Sequence, residues 1–153
     1  MKKFSQEHQE TLETGTKNLL QAIGDDPNRD GLLETPKRVA KAYAEIFSAT
    51  GETQFDNYKL FPTDHDSDMV IVADIPFYAM CEHHLLPFFG TVTVGYVPDG
   101  EIIGLSKIPR LVDWAARRPS VQENLTALIC SEMQRIVHPK GVAVHVQSRH
   151  MCM

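Results

Sequence analysis

At 153 residues the chain has the length of a single domain, enough to bury a core without disulfide staples. Its 42% hydrophobic and 23% charged content is that of an ordinary soluble globular protein, and no apolar run approaches the ~18 residues of a transmembrane helix. A net charge of −5 argues against a general nucleic-acid binder, whose affinity comes from basic side chains on phosphates, but leaves room for a local basic cluster holding a small anion. The opening Met1-Lys2-Lys3-Phe4-Ser5-Gln6-Glu7-His8 turns polar at once, without the apolar stretch of a secretory signal. Three cysteines are too few, and odd in number, for a disulfide framework, so reduced thiols in the cytoplasm are expected.

Along the chain, Leu12, Thr16, Leu19, Leu20 and Ile23 recur at helical spacing. The turn-rich run from Gly24 to Gly31 stops that helix. Thr35-Pro36 predicts a second, with threonine as N-cap and proline at the first helical position. Its apolar face is Val39, Tyr43, Ile46 and Phe47. The period then changes. Residues 69–75 are rich in β-branched side chains, and 88–97 reads as a long strand with Val92, Val94 and Tyr96 on one face. Pro98-Asp99-Gly100 is a turn, after which Ile102-Ile103-Gly104-Leu105 starts a return strand. A helix over 107–117 follows, then another from Ser120 with Leu125, Leu128, Ile129, Met133 and Ile136 on one face. Pro139-Lys140-Gly141 ends it, and Val142, Val144 and Val146 alternate in a last strand. The order predicts an α+β fold with an antiparallel sheet, divided into an N-terminal helical region (1–60) and a sheet-containing domain (61–153).

The chemistry concentrates in Cys81-Glu82-His83-His84, in the connection between two strands, and in the closing His150-x-Cys152. Cysteine and histidine are ligands zinc prefers, and three protein ligands leave a fourth position for a reactive water. Cys81, His84 and Cys152 are the candidate set, provided the last strand returns to the first cluster. The competing reading makes Cys81 and Cys152 small buried hydrophobes. Cys130, inside a helix and next to its apolar face, is assigned to packing. If the metal set forms, His83 and His150 remain beside it as proton carriers. Ser106, Lys107 and Arg110 fit a helix N-terminus that attracts anions, although taken alone they read first as an N-cap with two solvated bases. Ser120-Val121-Gln122-Glu123 fits a capping box, in competition with a role for Glu123 in accepting hydrogen bonds from a nucleobase.

Five stretches together resemble the GTP cyclohydrolase I family over nearly the whole chain. They are Glu34-Thr35-Pro36-Lys37-Arg38-Val39-Ala40-Lys41, Cys81-Glu82-His83-His84, Ile103-Gly104-Leu105-Ser106-Lys107, Val121-Gln122-Glu123-Asn124-Leu125-Thr126 and His150-Met151-Cys152. The resemblance implies the tunnelling fold (T-fold), with helices on one face of an antiparallel sheet and sheets of several subunits joined into a barrel. It implies a homo-oligomer, a decamer of two pentameric rings, with sites at subunit junctions. It further implies Zn2+ on Cys81, His84 and Cys152, with His83 and His150 as catalytic imidazoles and Ser106 near the ribose. Glu123 and Gln122 would hold the guanine of GTP; Lys107, Arg110 and Arg38 would face its triphosphate. In the implied reaction a zinc-activated water attacks C8, formate leaves, and the ribose recloses to give 7,8-dihydroneopterin triphosphate. Runner-up readings are a purine-nucleotide hydrolase that stops at the formamidopyrimidine, or a structural zinc-binding ring subunit. The family pattern continues past the last cysteine with an Arg-Gly-containing strand and a helix. Against that pattern this sequence reads as shortened, and no counterpart of the triphosphate-binding arginine is named.

Overall fold

In the computed structural model, which describes residues 4–64 and 68–153, the chain divides into two compact units that meet between Thr50 and Gly51. In the first, Ser5 caps α1 (Gln6–Ala22): its Oγ accepts the His8 N–H at 3.2 Å, while His8 Nδ1 accepts the Ser5 N–H at 3.3 Å. The helical spacing holds, yet α1 buries no residue, and Leu19 and Ile23 stay exposed. Helix α2 (Thr35–Ile46) starts one residue earlier than expected, at Thr35 itself. Glu34 already has near-helical angles (φ −91°, ψ −7°), so Thr35 falls inside the first turn and no side chain caps the helix.

The second unit is built on a four-stranded sheet of β2 (Val70–Cys81), β3 (Pro87–Val97), β5 (Pro119–Ser120) and β6 (Gly141–His150), in the order β5-β2-β3-β6. The long strands pair antiparallel; β5 alone runs parallel, beside the end of β2. Alternation works as the sequence predicts. Val92, Val94 and Tyr96 on β3, with Ile75, Phe77 and Ala79 on β2, are buried on one face. Helices α3 (Lys107–Ala116) and α4 (Gln122–Val137) pack against β2 and β6, burying Ile108, Leu111 and Val112 with Leu125, Ile129 and Met133. The other face leaves Ile71 and Tyr78 exposed. Strands β3 and β6 approach so closely at Gly90 that a Cβ there would meet the Gln147 carbonyl oxygen at 1.9 Å.

Two local expectations change. The return strand β4 (Glu101–Ile103) pairs with β1 (Leu60–Pro62), Ile103 opposite Leu60, because β2 and β6 occupy both edges of β3. And α4 begins after an extended Val121 (φ −119°, ψ 162°), with no capping box. Ser120 is drawn into the sheet opposite Cys81, and its hydroxyl donates to the Val121 carbonyl at 3.2 Å.

A polar cluster fastens the start of this unit to its helices. The buried Glu132 carboxylate accepts the Phe55 N–H at 2.7 Å and two Arg135 donors at 2.7 and 3.0 Å. Trp114 Nε1–H donates to Glu52 at 2.7 Å, and the Arg118 guanidinium lies 4.3 Å over the Trp114 ring. Among the described residues no helix is long and apolar enough to cross a membrane.

Candidate metal centre and active site

Cys81 is the last residue of β2, and the chain turns sharply to re-enter the sheet at Pro87. The turn is tied down on three sides. The Cys81 N–H donates to the Leu86 carbonyl at 2.9 Å, the Leu85 N–H to the Cys81 carbonyl at 2.8 Å, and the Glu82 N–H to the Ser120 carbonyl at 3.0 Å. Leu85 takes φ 52° to close it, a left-handed conformation that leucine adopts only under such constraint. Register does the rest. β6 pairs with β3 so that His150 lies opposite Phe88, and the Met151 N–H donates to the Pro87 carbonyl at 3.0 Å. The residue after it, Cys152, is thereby delivered to the turn that holds Cys81.

The ligand atoms of Cys81, His84 and Cys152 all lie within 4.8 Å of one another, and Cys81 Sγ is 3.8 Å from His84 Nδ1. Zinc–sulfur and zinc–nitrogen bonds of ~2.3 and ~2.05 Å at a tetrahedral angle would set a sulfur and a nitrogen about 3.6 Å apart. The group therefore fits a tetrahedral cation with little movement and leaves a fourth position free. The His84 ring, then the His83 backbone N–H, hold the Cys81 thiol below the usual thiol range. Burial, then the neighbouring Cys81, push the Cys152 thiol up. Cys81 thus gives up its proton first, as a ligand poised for a cation must. Cys81 is buried, Cys152 half-buried and His84 exposed, so the centre opens on one side.

The spare imidazoles differ. His83 is exposed, its ring edge-on to His84 at 6.1 Å and its Nε2 3.9 Å from Glu82. His150 is the last residue of β6 rather than lying past its end, and it is held on several sides. Its ring stacks on Phe88 at 5.2 Å with planes 3° apart, and its Nε2 lies 2.9 Å from Gln122 Oε1 and 3.1 Å from Ser148 Oγ. Ser148 also donates a short hydrogen bond to Gln122 Oε1, and Gln122 Nε2 donates to the Val146 carbonyl at 3.1 Å. Ser148 escaped the sequence reading. The signal for it was the period of two along β6, which puts it on the face of His150.

Beside this network, Gln122, Glu123, Thr126, Ala127, Cys130 and Val144 line a groove of about 450 Å³. With no capping box to serve, the exposed Glu123 makes no hydrogen bond or ion pair among the described residues. Cys130, assigned to packing from the sequence, is half-buried and lines this groove. Ser106 occupies the cap position of α3 without a side-chain cap bond. Lys107 Nζ donates to Asn57 Oδ1 at 2.9 Å, and Arg110 is exposed one turn on. Arg38 is exposed on α2, in the first unit.

The family model for GTP cyclohydrolase I matches residues 12–153. The chain belongs to the GTP cyclohydrolase I family. It is 56% identical over 151 residues to GTP cyclohydrolase 1 of Lactiplantibacillus plantarum, an alignment covering 98% of this chain and 80% of that relative. GTP cyclohydrolase 1 of Enterococcus faecalis is 52% identical over 151 residues, covering 98% and 81%. That of Latilactobacillus sakei is 57% identical over 144 residues, covering 92% and 76%. The α+β architecture of the second unit agrees with the T-fold of the family, and the Cys-His-Cys group is one that can hold a metal ion.

Proposed function

We propose that the chain is a zinc-dependent GTP cyclohydrolase I, which opens the imidazole ring of GTP, releases C8 as formate and yields 7,8-dihydroneopterin triphosphate. The observation that carries the reading is the convergence of Cys81, His84 and Cys152, from opposite ends of the second unit, on a volume sized for one tetrahedral cation. Membership of the family supplies the substrate.

Zinc, when bound there, supplies a water acidic enough to act as a nucleophile near neutral pH. The chain's own residues do the rest. Glu123 accepts from the amino group and ring N–H of guanine, which suits a carboxylate with no competing partner in an open groove. Gln122, beside it, borders the same groove. Lys107 and Arg110 present two cations at the start of α3 for the triphosphate. Arg38 is assigned to the triphosphate on the family resemblance alone. Ser106, at the cap position of α3 with no side-chain cap bond, is assigned to the ribose. His83, exposed beside the metal set, and His150, held by its neighbours, carry protons to and from the opening ring.

For the assembly we take the decamer of two pentameric rings that the resemblance implies. We assign the protein to the cytoplasm. The test is incubation of the zinc-loaded protein with GTP, following formate and the fluorescent oxidised pterin together. Both should appear in equal amounts. An opened formamidopyrimidine without the pterin would replace this reading with a shorter hydrolysis, and no turnover by an assembled zinc-bound ring would replace it with a structural role.

A further inference from the structure

We infer that Ser148 and Gln122 are positioning residues for His150: together with Phe88 they fix its ring in the place and orientation from which it meets the substrate. This rests on the assignment of His150 as a proton carrier in the cyclohydrolase reaction.

Three observations lead to it. First, the Gln122 amide has only one orientation available. Its nitrogen donates to the Val146 carbonyl at 3.1 Å, so the atom turned toward His150 is the oxygen. An amide oxygen only accepts. His150 Nε2, 2.9 Å away, is therefore the donor of this hydrogen bond, which ties one edge of the ring to α4. Second, the Ser148 hydroxyl bridges the same two groups. It donates to Gln122 Oε1 and sits 3.1 Å from His150 Nε2, so it fills the space in which the ring could swing and holds the amide in place. Third, Phe88 fixes the ring plane: it is fully buried, lies directly opposite His150 in the β3–β6 register, and stacks nearly parallel to it.

The three restraints act on different degrees of freedom. Phe88 sets the plane, Gln122 holds one edge of the ring, and Ser148 locks Gln122 and the ring to each other. A proton carrier so held avoids the loss of rate that follows from small misplacement of a reacting group. Gln122 lies at the first position of α4 and Ser148 on β6, so the packing of α4 on β6 is itself what assembles the restraint.

The test uses zinc-loaded protein labelled with 13C-histidine, with the His150 ring signals assigned by their loss in His150→Gln. The unmodified protein should show a rigid His150 ring by 13C relaxation. Ser148→Ala should make the ring mobile and lower kcat for formate release about three- to tenfold, with KM for GTP unchanged, the size expected for one neutral hydrogen bond. Ser148→Thr, which keeps the hydroxyl, should restore both the rigidity and kcat. A mobile His150 ring in the unmodified protein would overturn the inference. So would a Ser148→Ala variant with unaltered ring mobility and kcat, or one that changes only KM. The relaxation measurement needs no turnover, so failure of the cyclohydrolase reading itself would show separately, as an absence of formate from the unmodified protein.

Discussion

Replacing Cys152 by alanine removes one of the three proposed ligands without touching the core. The side chain is half-buried in the turn after β6, whereas the residues that hold the sheet together, Val92, Val94 and Phe88, lie elsewhere and are fully buried. The apo form of Cys152→Ala should therefore melt within a degree or two of the apo parent. Metal binding should change far more. Zinc held by four protein ligands in small domains is worth about 10–16 kcal/mol, roughly 2.5–4 kcal/mol per ligand. Cys81 and His84 already stand 3.8 Å apart, near the tetrahedral spacing, so the two survivors retain their share and one ligand's worth is lost. At 1.4 kcal/mol per decade that is a drop in zinc affinity of about 10²–10³. Competition against a chromophoric chelator measures it, with atomic emission giving the stoichiometry. Formate release should vanish at zinc concentrations that saturate the parent. Zinc affinity within threefold of the parent would show that Cys152 is no ligand, and the reasoning from β3–β6 register would fail with it.

Three further substitutions separate the roles. His150→Ala should keep zinc at full stoichiometry while slowing formate release by about 10²-fold or more, the usual worth of a positioned proton carrier; single-turnover kinetics with metal analysis checks both. Glu123→Ala should raise KM for GTP by about 10- to 150-fold through loss of charge-assisted hydrogen bonds, with zinc and fold intact by emission and circular dichroism. Glu132→Ala leaves the Phe55 N–H and Arg135 without their buried partner and should cost about 2–4 kcal/mol in urea unfolding. Burial alone would raise the Glu132 pKa, but the Arg135 hydrogen bond, the Phe55 N–H and the nearby Arg118 outweigh it and hold the group below its ordinary 4.5. Its contribution is thus present above pH 4.5 and lost as the pH falls through the lowered value. The stability gap between parent and Glu132→Gln should accordingly narrow in acid; a gap independent of pH would contradict this.

What could be read from the sequence was whatever depends on a residue's immediate neighbours along the chain. The alternation of Val92, Val94 and Tyr96 announced both β3 and its buried face, and the period of α4 announced Leu125, Ile129 and Met133. Misreadings arose where a neighbour in space competed. Ser120 has the pattern of a helix cap but pairs with Cys81 across the sheet, and that same pairing releases Glu123 for the groove. The return strand β4 follows a good turn yet finds both edges of β3 taken. For the metal set, the spacing of Cys81 and His84 was visible, but the arrival of Cys152 depends on the register of Phe88 opposite His150, which no local pattern encodes. The same holds for Ser148, whose partner Gln122 lies 26 residues away.

The central claim is that this chain turns GTP into formate and a pterin triphosphate through a metal held by Cys81, His84 and Cys152. The most direct measurement is formate and pterin release from GTP by the zinc-loaded protein, after chelation, and after zinc is restored. The account predicts equal yields of the two products, their loss on chelation, and their full return with zinc. Undiminished formate release from protein shown to be metal-free would contradict it.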